Sequence, residues 1–318
     1  MGLATRRFSL GAWLALAFTL LSLLLTVLLT VFSDRTASTQ VRRSIGNNLA
    51  ELSNQITSRL DQAMFERYRE VRLIANRLNG TLDLAEVQNE IDALQESYPT
   101  YAWIGVTDPA GKVLAATRNM LEGADVSQRP WFQNALKGQA MGDVHEALLL
   151  AQLLGSTGGE PVRFVDIAFP LKDDNGQITG VLGVHLSWKW AREIEQATFV
   201  PVGRSRTIDP LILSSTGAVL LGPPEVEGTV LQLPSVEAAQ RRERGFVRET
   251  WADGKEYLVG FSSDQGFEDY PGLGWRVLVR QDLVEAYAPV DQMHRRMLLG
   301  GGVAALLFSL LGWGLARW

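Results

Sequence analysis

Two uncharged apolar runs bracket the chain. Residues 8–32 are dominated by Leu, Ala and Val, and residues 297–316 form a second run of the same kind. A bilayer span needs about 20 such residues, so both runs read as transmembrane helices. Arg6 and Arg7 precede the first, which favours a cytoplasmic N-terminus. The first run is longer than a signal-peptide core, and no small-x-small site follows it, so it reads as an uncleaved anchor. From residue 34 to 78 there is no Pro, and Gly46 is the only Gly. Apolar residues recur there at Ile45, Leu49, Leu52, Ile56, Leu60, Met64, Val71, Ile74 and Leu78, mostly three, four or seven apart, which is one helical stripe. Such a helix would rise about 70 Å and continue the first span outward as a stalk. Its stripe is expected both to pack on its own domain and to form a dimer seam.

A short helix follows at 84–97. The period then changes to two. Strand pairs flank the turns Asp108-Pro-Ala-Gly111, Asp173-Asp-Asn-Gly176, Ser215-Thr-Gly217 and Ala252-Asp-Gly254. Residues 178–190 read as one strand, 130–137 as a short helix with Pro near its first turn, 275–280 as a final strand, and 283–296 as a helix running into the second span. Runs of antiparallel strands with segregated helices imply an α+β fold. The middle is too long for one small sheet, so two modules in tandem are expected, joined near 193–206. Residues 1–8 are then a cytoplasmic N-terminus, 9–32 the first span, 33–80 the stalk, 81–192 a membrane-distal module and 193–292 a membrane-proximal one. Residues 293–316 lead into the second span, and 317–318 begin a cytoplasmic linker.

Composition narrows the function. With Arg6, Arg7 and Arg317 outside it, the segment 33–296 carries a formal −8 against −5 for the whole chain, so no nucleic-acid partner is expected. Cysteine is absent, which removes disulfides, thiolate metal sites and cysteine nucleophiles. Three histidines make a His-rich metal site unexpected, and His145-Glu146 lacks the second His of a zinc-protease helix. Neither a metal nor a cofactor is predicted. No paired-carboxylate signature, Gly-x-Ser-x-Gly elbow or phosphate loop is present, so no enzyme is predicted in this chain. Asn79-Gly-Thr81 matches a glycosylation sequon, a short motif that carries little weight.

The segment Ile104-Gly-Val-Thr-Asp-Pro-Ala-Gly-Lys-Val113 after a stalk helix resembles the double Cache sensor domain. So do Arg129-Pro-Trp-Phe132, Asp174-Asn-Gly-Gln-Ile-Thr-Gly-Val-Leu-Gly-Val184 and Leu273-Gly-Trp-Arg-Val-Leu-Val-Arg280. The resemblance covers about residues 34–292. It implies two PAS-like modules stacked on the stalk, a small ligand in the distal one, and a place in bacterial chemoreceptors, sensor histidine kinases or diguanylate cyclases. Gly314-Leu-Ala-Arg-Trp318 is similar to a membrane helix entering a HAMP linker, with the output domain expected beyond it.

Arg129 and Trp131 match the Arg-x-Trp of relatives that bind amino acids, where the Arg fixes a carboxylate and the aromatic ring walls the pocket. Two positions depart from that pattern. Ala124 stands where the family has Tyr, and His185 aligns with the Asp that holds the α-amino group. A neutral imidazole cannot replace that carboxylate as an ammonium partner, so no standard α-amino acid is predicted. Counting back from a two-residue Asn175-Gly176 turn, with Asp174 facing Gln177, puts Asp166 opposite His185. Their face carries the small residues Ala168, Gly183 and Ser187, while Val165, Ile167, Phe169, Leu182, Val184 and Leu186 form the opposite, core face. Tyr101 and Trp103 share one strand face on strict alternation and are candidate stacking residues. Asp143 and His145 alternate in the same way and are expected to reach the same cavity.

The expected function is extracytoplasmic sensing of a small, carboxylate-bearing metabolite by a two-pass receptor of the bacterial inner membrane. The receptor is expected to be a homodimer through its stalk, with residues 33–296 periplasmic. A diguanylate cyclase or histidine kinase output is expected ahead of a chemoreceptor output. The alternative is a membrane-anchored scaffold for a periplasmic partner protein.

Overall fold

The computed structural model describes residues 10–80, 83–155, 162–199 and 208–317. Arg6, Arg7, the start of the first apolar run, the third residue of the Asn79 sequon, the second half of the expected module junction, and Trp318 lie outside the described residues.

One continuous helix, α1 (Leu10–Leu78), carries both the first apolar run and the stalk. At 69 residues it is about 100 Å long. After it come α2 (Leu84–Ser97), β1 (Tyr101–Thr107), β2 (Val113–Ala116), α3 (Pro130–Ala135), β3 (Ala140–Glu146), α4 (Leu148–Leu153), β4 (Arg163–Lys172), β5 (Ile178–Ser187) and α5 (Lys189–Phe199). The second half contains β6 (Ile208–Leu213), β7 (Val219–Leu221), α6 (Pro234–Gln240), β8 (Gly245–Thr250), β9 (Glu256–Ser263), β10 (Arg276–Asp282) and α7 (Leu283–Arg317). The five-stranded sheets have the orders β2-β1-β5-β4-β3 and β7-β6-β10-β9-β8, so the second repeats the topology of the first. The expected α+β architecture of a long helix with two antiparallel-sheet modules is present.

The hairpin turns share one construction. Asp108, Asp173 and Ser214 each place a side-chain oxygen on the backbone N–H groups two and four residues on, at 2.8–3.2 Å. Three residues after each comes Gly111, Gly176 or Gly217, with φ of 91°, 78° and 88°. That left-handed geometry favours glycine. Trp251 to Lys255 closes the same backbone turn around Gly254. The turn is longer than the two-residue loop inferred from the sequence. Asp173, not Asp174, donates its N–H to Gln177, and Lys172 pairs with Ile178. An extra residue, Thr179, then shifts the ladder, so Asp166 still pairs with His185. The expected register is reached through a bulge and not through the turn.

The stalk stripe is the core of the molecule. Leu49, Ile56, Leu60, Met64, Val71, Ile74 and Leu78 are buried in one cluster with Val165, Ile167, Leu182 and Val184 of the first sheet and Leu258, Val277 and Val279 of the second. Its own sheets fill most of this stripe, with Ile45 and Leu52 partly buried against them. Gly260 of β9 lies directly against the α1 backbone at Leu49 and Ala50. The second sheet therefore sits on the part of α1 nearer the apolar run. The first sheet sits further out, where Tyr68 packs on Phe169 and Glu70 accepts from the Tyr101 hydroxyl at 2.6 Å.

The apolar ends of α1 and α7 are long and apolar enough to cross a membrane. They run antiparallel and in contact. Gly301 faces Thr30, and Gly312 faces Phe18. Small residues of this kind let helices approach closely in lipid.

Asp61 of α1 is buried against the second sheet, where one carboxylate oxygen accepts from the Gln265 N–H at 3.0 Å. Burial raises its pKa to about 6. The folded state therefore holds this proton more tightly than the unfolded chain. Stability falls as pH rises from about 4 to 6, and the cost is complete above that window. We expect Asp61→Asn to stabilise the protein by about 2–3 kcal/mol at pH 7.5 and by almost nothing at pH 4. Thermal melts of both proteins at the two pH values check this; an equal difference at both would contradict it.

Candidate functional site

The two sheets use their outer faces differently. In the second module that face is filled by Leu211, Val236, Trp251, Tyr257, Phe261 and Leu278. Arg280 is laid over Trp251 and Tyr257 at 4.5 and 4.7 Å and is paired with Asp209 and Glu225. In the first module the same face carries Gly105, Gly142, Ala168 and Gly183. A cavity of about 620 Å³ opens above it, bounded by β3–β5, α3, α4 and the loop before α3.

Trp103, Arg129, Trp131, Asp143, His145, Asp166 and His185 all border this cavity. Glycine decides where the aromatic rings lie. The Trp103 indole lies over Gly105, and the Trp131 ring lies over Gly183, where a Cβ would come within 2.7 and 2.9 Å of two further ring atoms besides the nearest. Trp103 is fixed by its Nε1, which donates to the Met120 carbonyl at 3.0 Å. Arg129 precedes α3 and stands exposed at the cavity rim. Pro130 at the start of that helix turns Trp131 and Phe132 inward.

At the floor, His185 Nδ1 and Asp166 Oδ1 are hydrogen-bonded, and both residues are buried. His185 sits in a box of rings, 5.3 Å from Trp103, 6.1 Å from Trp131 and 6.0 Å from Phe164. His145 joins them from β3. Its Nε2 is 3.6 Å from Asp166 Oδ2, and its Nδ1 is 3.2 Å from the Asp143 carbonyl. The strand bulges between Gly142 and His145. Gly142 pairs with Asp166 and His145 with Phe164, so both face the cavity although they are three residues apart.

One sequence expectation needs correction. Tyr101 and Trp103 do not share a face. A register shift at Ala102 turns Tyr101 towards the stalk, where it is buried and its hydroxyl donates to Glu70. Burial and that carboxylate push its pKa up. Tyr101 is therefore a core residue and not a cavity residue. Asp143 does border the cavity, but its Oδ1 accepts from Trp275 Nε1 of the second module at 2.7 Å, so it also ties the modules together. Sequence reasoning missed Asn134, Met141 and Leu150 on the cavity wall. Asn134 was within reach, being one helical turn beyond Trp131. Residues 148–153 gave no periodic signal.

A long helix carrying two sheets of matching topology, the outer one hollow with charged and imidazole side chains at its cavity, defines a ligand-binding sensor module. The chain belongs to the Cache domain family, whose profile matches residues 33–290. Among curated proteins, the chain is similar to a probable methyl-accepting chemotaxis protein of Bacillus thuringiensis subsp. konkukian, at 21% identity over 293 residues. That match covers 90% of this chain and 41% of the relative, so the chain spans less than half the relative's length. Among solved structures, the fold is similar to the ligand-binding domain of the Pseudomonas aeruginosa PAO1 amino acid chemoreceptor PctC in complex with GABA. The TM-score is 0.56 at 19% identity, covering 74% of this chain and 99% of that one. It is also similar to the periplasmic sensory domain of the Campylobacter jejuni chemoreceptor Tlp1, with a TM-score of 0.58 at 15% identity, covering 78% and 99%.

Proposed function

We propose that residues 33–296 are the outer, sensing region of a two-span bacterial membrane receptor, and that the distal cavity takes a small carboxylate-bearing molecule. The observation that carries this reading is the hollow outer face of the first sheet, largely apolar-walled with Arg129, His145, Asp166 and His185 at its border, beside the filled equivalent face of the second. Arg129 at the rim is suited to a carboxylate, because a guanidinium offers two parallel donors. Trp103 and Trp131 supply apolar walls. PctC, a relative in fold, holds GABA, which carries a carboxylate. A scaffold for a partner protein has no need of such a cavity.

The signal leaves through α1 and α7. The start of α7 is locked to the stalk by buried Ala286 and Val290, and Arg42 lies over the Tyr287 ring at 4.6 Å. Ligand binding shifts the receptor only by its differential affinity for two arrangements of these helices, and the helices then act on a cytoplasmic output domain.

A thermal-shift screen of the detergent-solubilised chain against carboxylate-bearing metabolites tests the reading. We expect at least one to stabilise the protein by about 2–3 kcal/mol at a hundredfold excess over its Kd. We expect Arg129→Ala to remove that shift. No stabilising metabolite, or an equal shift in Arg129→Ala, would count against it.

A further inference from the structure

We propose that His145, Asp166 and His185 bind a first-row divalent transition metal ion, zinc foremost, at the floor of the distal cavity. This deepens the reading above, because it places the metal in the same cavity and makes it part of what the receptor senses.

The three residues come from three adjacent strands. Asp166 and His185 are directly paired across β4 and β5, and the β3 bulge turns His145 onto the same face. Their ligand atoms all lie within 4.8 Å of one another. The sequence argued against a metal because no second histidine follows His145 in its own segment. The fold supplies that histidine from β5, 40 residues later.

Proton placement is the stronger argument. The Asp143 carbonyl can only accept, so His145 Nδ1 carries the proton of that contact. In the neutral ring the lone pair is then on Nε2, which faces a second acceptor, Asp166 Oδ2, at 3.6 Å. That is too long for a direct hydrogen bond. Two acceptors aimed at each other repel unless a proton or a metal cation lies between them. Donor atoms bound to one tetrahedral zinc at 2.0–2.1 Å are about 3.3 Å apart, close to the separation seen here. The contact of His145 Nδ1 with a backbone carbonyl is also the outer hydrogen bond that commonly orients a metal-bound imidazole.

Burial points the same way. The Asp166 and His185 side chains are 8% and 9% exposed, and the ion-pair partners of Asp166 among the described residues are the two histidines. A buried carboxylate calls for a compensating cation. Two imidazoles and one carboxylate suit zinc, nickel or cobalt, whereas calcium and magnesium require more oxygen ligands. His145 is 38% exposed at the side chain, so the fourth position faces the open cavity. There a water molecule or the carboxylate of a metabolite could complete the set, within the cavity that Arg129 borders.

Calorimetry on the full chain in detergent, stripped with chelator and titrated with Zn²⁺ at pH 7.5, tests the assignment. We expect one ion per chain, and no heat from Mg²⁺ or Ca²⁺ at the same concentrations. His145→Gln should weaken Zn²⁺ binding at least about 100-fold. This half-exposed residue can change without disturbing the core. Asp166→Asn should do the same where it folds. His294→Gln, on α7 and outside the cluster, should leave binding unchanged. Co²⁺ should bind with visible bands and quench the fluorescence of Trp103 and Trp131, which pack on His185. Absence of Zn²⁺ binding in folded protein, or an unchanged affinity in His145→Gln, would overturn the metal site. A metabolite that still stabilises the chelated protein would in that case leave the sensing role standing. Failure of both titrations would remove both.

Discussion

Trp275→Ala is expected to destabilise the protein by about 3–5 kcal/mol, among the largest effects of any single truncation in the molecule. Trp275 is 1% exposed and precedes β10 of the second sheet, yet it reaches into the first module. Its ring packs 5.1 Å from Trp188 and 6.3 Å from Trp190, and its Nε1 donates to Asp143 Oδ1. Truncation leaves a cavity between the modules and a carboxylate oxygen without its indole partner. At roughly 2–4 °C per kcal/mol, the melting temperature should fall by about 10 °C. Trp275→Phe keeps most of the ring and loses only the N–H, so it should cost about 1–3 kcal/mol. Trp275→Ala should also split one unfolding transition into two, because the sheets are then joined mainly by α1 and by Arg163, which reaches the Leu220 carbonyl and Glu227. A single transition lowered by less than about 1 kcal/mol would show that the modules do not depend on this contact.

Gly183→Val is expected to abolish ligand binding while leaving the fold standing. The Trp131 ring lies on Gly183, so a branched side chain drives the indole into the cavity. Overpacking of this kind costs about 1–3 kcal/mol. The binding loss should exceed about 100-fold, because the displaced ring fills the space the ligand needs. Binding assays on the folded variant check this, and retained affinity would place the ligand elsewhere.

Much of this was legible in the sequence, for identifiable reasons. The stalk and α2 follow from their apolar spacing, and Asp83 caps α2 by accepting from the Ala85 N–H at 2.8 Å. The hairpins follow from turns that repeat one arrangement of a polar residue and a glycine. The Asp166–His185 pair follows from counting, although the count was right for a different reason. Bulges concealed the rest. The shift at Ala102 separates Tyr101 from Trp103, and the one after Gly142 brings His145 to Asp166. Strict alternation cannot anticipate an extra residue. Trp188 and Trp190 extended the apparent period of β5, so the sequence read a strand to residue 190, whereas α5 begins at Lys189. β3 holds Gly142, Asp143 and His145 among half-buried positions and offers little apolar alternation to read.

Hydrogen exchange on the full chain, with and without the stabilising metabolite, tests the central claim most directly. Protection should concentrate in residues 101–107, 129–146 and 163–187, the strands and helix around Trp103, Trp131 and His185. Protection confined to residues 208–282, or spread evenly over both sheets, would mean that the distal cavity is not where this receptor meets its ligand.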